Sequence, residues 1–239
     1  MPRFAAAVLL PLLLVSACAD TSSWRERLDE MMISSEWTVE STRPLKGTGL
    51  VQVALNNGDQ FFISENGRYL LVGANLFEFQ GEASFNRTEE ARALWRAEII
   101  SEADQYIVFP AEGDTRAVVY AFTDVTCPFC QQMHLEIAGY NQLGIEVRYM
   151  AFPRGGMGSR GYELLAKAWC AEDPVNAIGQ LKIGQGSDLE VCETQPVMTH
   201  YDIGQRVGVR GTPTFITQEG SLISGFRTTD EIAEILELK

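Results

Sequence analysis

Cys127 and Cys130 enclose Pro128 and Phe129, and the stretch AFTDVTCPFCQQMHLEI (121–137) runs from an apolar segment through this C-x-x-C into a helical pattern. Two cysteines three apart on a first helical turn can close a small disulfide ring. At that position Cys127 faces the unpaired N–H groups of the helix start, which stabilise negative charge. Cysteine pKa values fall to roughly 3.5 to 7.5 in such settings, so Cys127 is expected to be a thiolate at neutral pH, able to attack another disulfide. Cys130, one turn deeper, is then the resolving thiol. Pro128 is tolerated at the first helical position because its missing N–H has no intrahelical partner. Phe129 places an aromatic ring beside the sulfurs.

Two plainer readings compete. A C-x-x-C can be half of a zinc site, but no second C-x-x-C or H-x-x-x-H follows, so no metal is expected. It can also be an inert disulfide. Against that stand the strand before it, the amphipathic helix after it, and Thr212-Pro213, which opens another strand far downstream. His134 lies seven residues after Cys127 on the same helix face. Protonated, it would raise the thiolate fraction, though packing is the simpler role. Asp124 either exchanges protons with Cys130 or shapes the turn, and the turn is favoured. Arg154-Gly155-Gly156-Met157-Gly158 lacks the G-K-[ST] of a phosphate loop, so it reads as a loop after a strand.

The elements that must hold these residues follow from periodicity. Apolar runs at 107–109, 117–122 and 145–152 suit buried strands. Helical patterns cover 161–171, 174–182 and 195–207. A strand at 215–217, a Glu219-Gly220 turn and Leu222-Ile223 make a hairpin, and Thr228 with Glu231 caps a closing helix to Leu238. Upstream, Ser23 with Glu26 caps a short helix over 24–33. From Val39 to Gln80 the period changes to two, with Asn66-Gly67 turning a hairpin. Asn86 and Glu89 cap a further helix, running to Asp104, with Ala91, Leu94, Trp95 and Ile99 at helical spacing. About forty residues of small sheet bury little surface alone, so that region is expected to need a partner surface.

The 239 residues carry 32 acidic and 19 basic side chains, a formal charge of −13. That balance disfavours nucleic acid or an anionic membrane as partner. Residues 1–19 combine Arg3, an apolar stretch from Phe4 to Val15 and a small-residue end, a secretory signal. Two processing patterns overlap there: Val15-Ser16-Ala17-Cys18 as a lipobox ending in a lipidated Cys18, and Ala17-Cys18-Ala19 as an ordinary cleavage site. The lipobox is favoured. Either removes Cys18 from the free thiols and leaves four cysteines in a compartment where disulfides persist.

The order FTDVTCPFC, QQMH, YMAFPRGG, AWCAEDP and GVRGTPTFITQEGSLISGF resembles the periplasmic disulfide isomerases of the DsbC/DsbG type, over most of the chain. The resemblance implies an α/β fold: a thioredoxin-like catalytic domain with a helical insertion (105–239), preceded by a small antiparallel α+β dimerisation domain (20–84) and a linker helix (85–104). It implies catalysis by Cys127 and Cys130 without a cofactor. Substrate would be held by Thr212, a cis Pro213 and Phe129, although Pro213 alone would be expected to be trans. It also implies a structural disulfide between Cys170 and Cys192. On spacing alone these remain the leftover pair, and bridging them would restrain the unfolded chain by roughly 3 kcal/mol. A second redox pair is the alternative, disfavoured by their wide separation. Partners implied are disulfide-bonded or misfolded envelope proteins, an electron donor of the DsbD type, and a second copy of the chain in a V-shaped homodimer. The location implied is the Gram-negative periplasm, with outer-membrane anchoring if Cys18 is lipidated. Family members more often carry Gly-Tyr or Pro-Tyr between the cysteines, so Pro128-Phe129 is a departure that bears on redox potential. A reductase of oxidised single cysteines, a chaperone, or a binding protein using the dimer cleft are the alternatives to an isomerase.

Overall fold

The structure is a computed structural model that describes residues 23–33, 35–56, 59–186 and 188–238. The expected signal segment and Cys18 lie outside the described residues. Ser23 caps α1 (Trp24–Met32) reciprocally: its hydroxyl accepts from the Glu26 N–H, and the Glu26 carboxylate accepts from the Ser23 N–H at 2.9 Å. Strands β1 (Val39–Leu45), β2 (Leu50–Leu55), β3 (Gln60–Ser64) and β4 (Leu70–Val72) follow as an antiparallel sheet in chain order. Alternation decides its faces. Val51, Val53, Phe61 and Ile63 turn toward Trp24 and Leu28 of α1, while Ala54 faces the other way and packs in a cluster with Trp95. Gly67, at φ +67°, makes the turn between β3 and β4.

A separate hairpin, β5 (Phe77–Gln80) with β6 (Ala83–Asn86), precedes α2 (Arg87–Ile100). Strand β6 was not expected: its four residues, Ala-Ser-Phe-Asn, alternate too briefly to register beside the cap signal of Asn86. That cap forms, with the Asn86 side chain accepting from the Glu89 N–H. The expected helix to Asp104 is four residues too long. At Ser101 the backbone N–H is shared between the Ala97 and Glu98 carbonyls and the hydroxyl donates to Glu98 at 2.6 Å, which ends the helix, and Ala103 turns into the core.

The second half contains β7 (Ile107–Phe109), β8 (Ala117–Thr123), α3 (Pro128–Gln142), β9 (Ile145–Ala151), α4 (Arg160–Cys170), α5 (Pro174–Lys182), α6 (Val197–Arg206), β10 (Thr214–Thr217), β11 (Leu222–Ser224) and α7 (Thr229–Ile235). Its sheet runs β11-β10-β8-β9-β7, with β8 and β9 parallel and the other pairs antiparallel. Both faces are covered, so the strands are apolar on both sides. In β8, Val119 and Ala121 face Met133, Ile137 and Tyr140 of α3, whereas Tyr120 and Phe122 face Trp95 and Ile99 of α2 and Ile203 of α6. The helix expected to act as linker is thus also a wall of this second core. Ion pairs join Arg206 of α6 to Glu40 of β1 and Glu102, and Arg43 of β1 to Glu98 of α2. Among the described residues no helix is long and apolar enough to cross a membrane.

Candidate active site

Strand β8 ends at Thr123, and the four residues before α3 are held by one carboxylate. Asp124 is 1% exposed. One of its oxygens accepts from the Thr126 N–H at 2.8 Å and the Thr126 hydroxyl at 2.7 Å; the other accepts from the Arg154 N–H at 2.9 Å and the Arg154 Nε at 3.3 Å. Asp124 therefore ties the turn before the cysteines to the glycine-containing loop after β9. A Cβ on Gly161 would stand 2.9 Å from the same carboxylate, so the start of α4 packs directly against it.

Cys127 is the N-cap residue of α3, with extended backbone (φ −88°, ψ 119°) and Pro128 following. The antiparallel register that sets Thr214 opposite Phe122 brings the preceding Thr212-Pro213 segment over the cysteines. The Thr212–Pro213 peptide is cis, and the Cys127 thiol donates to the Thr212 carbonyl at 3.2 Å. The Thr212 hydroxyl is buried with no partner among the described residues. Cys127 and Cys130 are both free thiols. Their environments differ sharply. Hydrogen bonding from the Cys130 thiol, foremost, and from the Cys130 N–H, together with the Arg154 charge, holds Cys127 down to about 5 against the cost of burial. Burial pushes the Cys130 thiol up, as does its bond to Cys127. The pair is built as one thiolate and one thiol. Phe129 stands beside them 58% exposed.

His134 packs. Its Nδ1 lies 3.1 Å from the Tyr149 hydroxyl, its ring meets the edge of Phe109, and burial with the nearby Lys182 charge holds it down to about 4. At neutral pH it is uncharged and supplies no positive field to Cys127. The positive charges near the sulfurs come instead from Arg154 and Lys182, neither of which stood out in the sequence. Lys182 did leave a signal. It falls four residues after Ile178, on the apolar face of α5, where a solvated lysine has no place. Its Nζ donates to the Thr123 hydroxyl at 2.8 Å.

Cys170, the last residue of α4, is bonded to Cys192, with their Cα atoms 5.5 Å apart, and the bond closes the segment that contains α5. Among the described residues no cluster of three metal-ligating side chains occurs.

Residues 103–239 match the thioredoxin-like domain family, and residues 15–89 match the disulfide bond isomerase protein N-terminal domain. The thiol:disulfide interchange protein DsbC of Haemophilus influenzae is 33% identical over 229 residues, 96% of this chain and 95% of that protein. DsbC of Escherichia coli is 30% identical over 221 residues, 92% and 89% of the two chains. Among solved structures, a linker-deletion variant of ScsC from Proteus mirabilis is similar in fold, with a TM-score of 0.50 and 15% identity over 63% of this chain and 84% of that one. With a dithiol at the start of α3, a cis-proline segment across from it and relatives matching nearly end to end, this chain belongs to the DsbC family of thiol:disulfide interchange proteins.

Proposed function

We propose that this chain is an exported disulfide isomerase of the cell envelope, in which Cys127 is the nucleophile, Cys130 the resolving thiol, and Thr212, Pro213 and Phe129 the substrate contacts. The observation that carries the reading is the asymmetry of the dithiol: Cys127 held down to about 5 at a helix start, Cys130 buried and pushed up. The Cys127 thiolate attacks one sulfur of a wrong disulfide. A Cys127–substrate bond forms, and the second substrate sulfur leaves as a thiolate. Attack by another substrate thiol then returns Cys127 and completes an isomerisation; attack by Cys130 releases reduced substrate and leaves a Cys127–Cys130 disulfide for an electron donor of the DsbD type. An extended substrate displaces the Cys127–Thr212 contact and pairs with the freed Thr212 backbone, its side chains resting on exposed Phe129.

Residues 20–84 serve as the dimerisation domain, 85–104 as the linker helix and 105–239 as the catalytic domain. A homodimer is supported by the surface of the first of these. Strand β4 is a sheet edge whose Leu70, Leu71 and Val72 are exposed, as are Tyr69 just before it and Phe77, Phe79 and Phe85 of the neighbouring hairpin. An apolar edge of this kind invites pairing with a second copy. Val72→Asp is expected to convert the dimer to monomer in sedimentation analysis. Export to the periplasm, and a lipid on Cys18, complete the reading. Scrambled-ribonuclease reactivation in a glutathione buffer tests it. The mature chain is expected to restore ribonuclease activity and Cys127→Ser to restore none; equal reactivation by the variant would overturn the assignment.

A further inference from the structure

The helical insertion closes over the back of the dithiol, and its last helical residue is a lysine only 3% exposed. Lys182 Nζ donates to the Thr123 hydroxyl at 2.8 Å, lies 3.4 Å from the Cys130 carbonyl oxygen and stands 5.3 Å over the Tyr149 ring. Among the described residues no carboxylate forms an ion pair with it. A buried ammonium without a counter-ion is costly, and packing alone would favour an apolar side chain beside Ile178 and Leu181. The ionisable groups that face it are Cys130 and Cys127 across α3, Asp124 at the end of β8, His134 on α3 and Tyr149 on β9. Asp124 already accepts four hydrogen bonds from Thr126 and Arg154, His134 is neutral, and burial keeps Tyr149 protonated. The sulfurs remain. Burial lowers the amine to about 8, and the Cys130 sulfur, once ionised, is foremost among the groups that oppose the shift.

We propose that Lys182 is a positioning residue for the resolving step: its buried ammonium, held by Thr123 and the Cys130 carbonyl, favours the thiolate of Cys130 and so sets how often Cys130, rather than a substrate thiol, releases a bound substrate. The inference rests on the roles proposed above for the two cysteines. In this step the Cys130 thiol releases its proton to water, and the resulting thiolate attacks the Cys127 sulfur of the mixed disulfide. The Cys127–substrate bond breaks, the Cys127–Cys130 bond forms, and the substrate sulfur leaves with the electron pair and takes up a proton. A fully buried thiol is a poor nucleophile until its charge is stabilised, and the ammonium supplies that charge. Lys182 also lines a surface groove of about 410 Å³ with Gln131 and His134, through which its own proton can exchange with water.

The test is Lys182→Met in the full chain, with Thr123→Val as companion because it leaves the amine and removes only its anchor. Reduced protein is mixed with a peptide carrying an activated disulfide. The mixed disulfide is followed by rapid acid quench and mass spectrometry from about pH 5 to about pH 9, a span that contains the amine transition near 8. In Lys182→Met, resolution by Cys130 is expected to slow about tenfold at neutral pH, with its profile moved to higher pH, one pKa unit being tenfold in thiolate. Formation of the adduct by Cys127 should change by less than about threefold, since the Cys130 hydrogen bond that foremost holds that thiol down, and the Arg154 charge, stay in place. Thr123→Val should slow resolution in the same direction by less. Unchanged resolution rate and pH profile in Lys182→Met overturn the proposal; should that variant fail to fold, unchanged resolution in Thr123→Val overturns it. A wild-type chain that forms no Cys127 adduct would instead overturn the functional reading on which the proposal rests.

Discussion

Cys127 stands at the N-terminal end of α3 and Cys170 at the C-terminal end of α4, and the two helix ends act on sulfur in opposite directions. At the first, unpaired N–H groups and the positive end of the helix dipole favour a thiolate; at the second, unpaired carbonyls disfavour it. Cys127 has a thiol donor in Cys130, and Cys170 instead sits in a bond that closes an excursion of the chain. In the reading proposed above the two pairs thus divide the chemistry. One holds a thiolate ready to exchange. The other is removed from exchange and restrains the α4–α5 insertion, which in turn carries Lys182 to the back of the first.

The comparison can be broken most severely at the nucleophile. Cys127→Ser should drop disulfide exchange to background in an insulin-reduction assay, because a serine hydroxyl does not ionise in this range. Removing the other pair, by Cys170→Ala with Cys192→Ala, should leave that activity largely intact at low temperature. It should cost about 3 kcal/mol of stability by denaturant titration, the chain-entropy value for a loop of this length. A double variant that loses activity without losing stability would erase the division of roles.

Two smaller effects sharpen the contrast. The rate of iodoacetamide modification of Cys127 should titrate with a midpoint near 5. The sign for stability follows: a thiol depressed on folding contributes stability that is fully present above its unfolded value near 9 and is lost as pH falls through about 5. The reduced protein should therefore gain on a Cys127→Ala variant as pH rises across that window. The oxidised protein, with no thiol to ionise, should show no such gain. Arg154→Ala should move the alkylation midpoint upward by less than about one unit, because this guanidinium is half exposed and water screens its charge.

What could be read from the sequence was local. The C-x-x-C at a helix start, and the caps at Ser23, Asn86 and Thr228, are decided within four residues, and the structure places each where its own spacing predicts. The two-residue period of β2 and β3 likewise needs only its neighbours. The helix expected from Gln195 begins at Val197 because the Gln195 side chain folds forward to accept the Val197 N–H at 2.7 Å. The misses depend on chain brought from elsewhere. Strand β6 exists by pairing with β5, Asp124 and Arg154 meet across thirty residues, and Lys182 is buried because α5 docks against Thr123, fifty-nine residues upstream. A lysine on an apolar helix face was the one trace of that docking.

The central claim, that exchange runs through one sulfur, is tested most directly by trapping. A Cys130→Ala variant is incubated with scrambled ribonuclease, quenched in acid and digested without reduction, and the adduct is mapped by mass spectrometry. Substrate peptides bound at Cys127, with Cys170 and Cys192 still joined to each other, are the predicted result. Substrate recovered on Cys170 or Cys192, with Cys127 unmodified, would contradict the account.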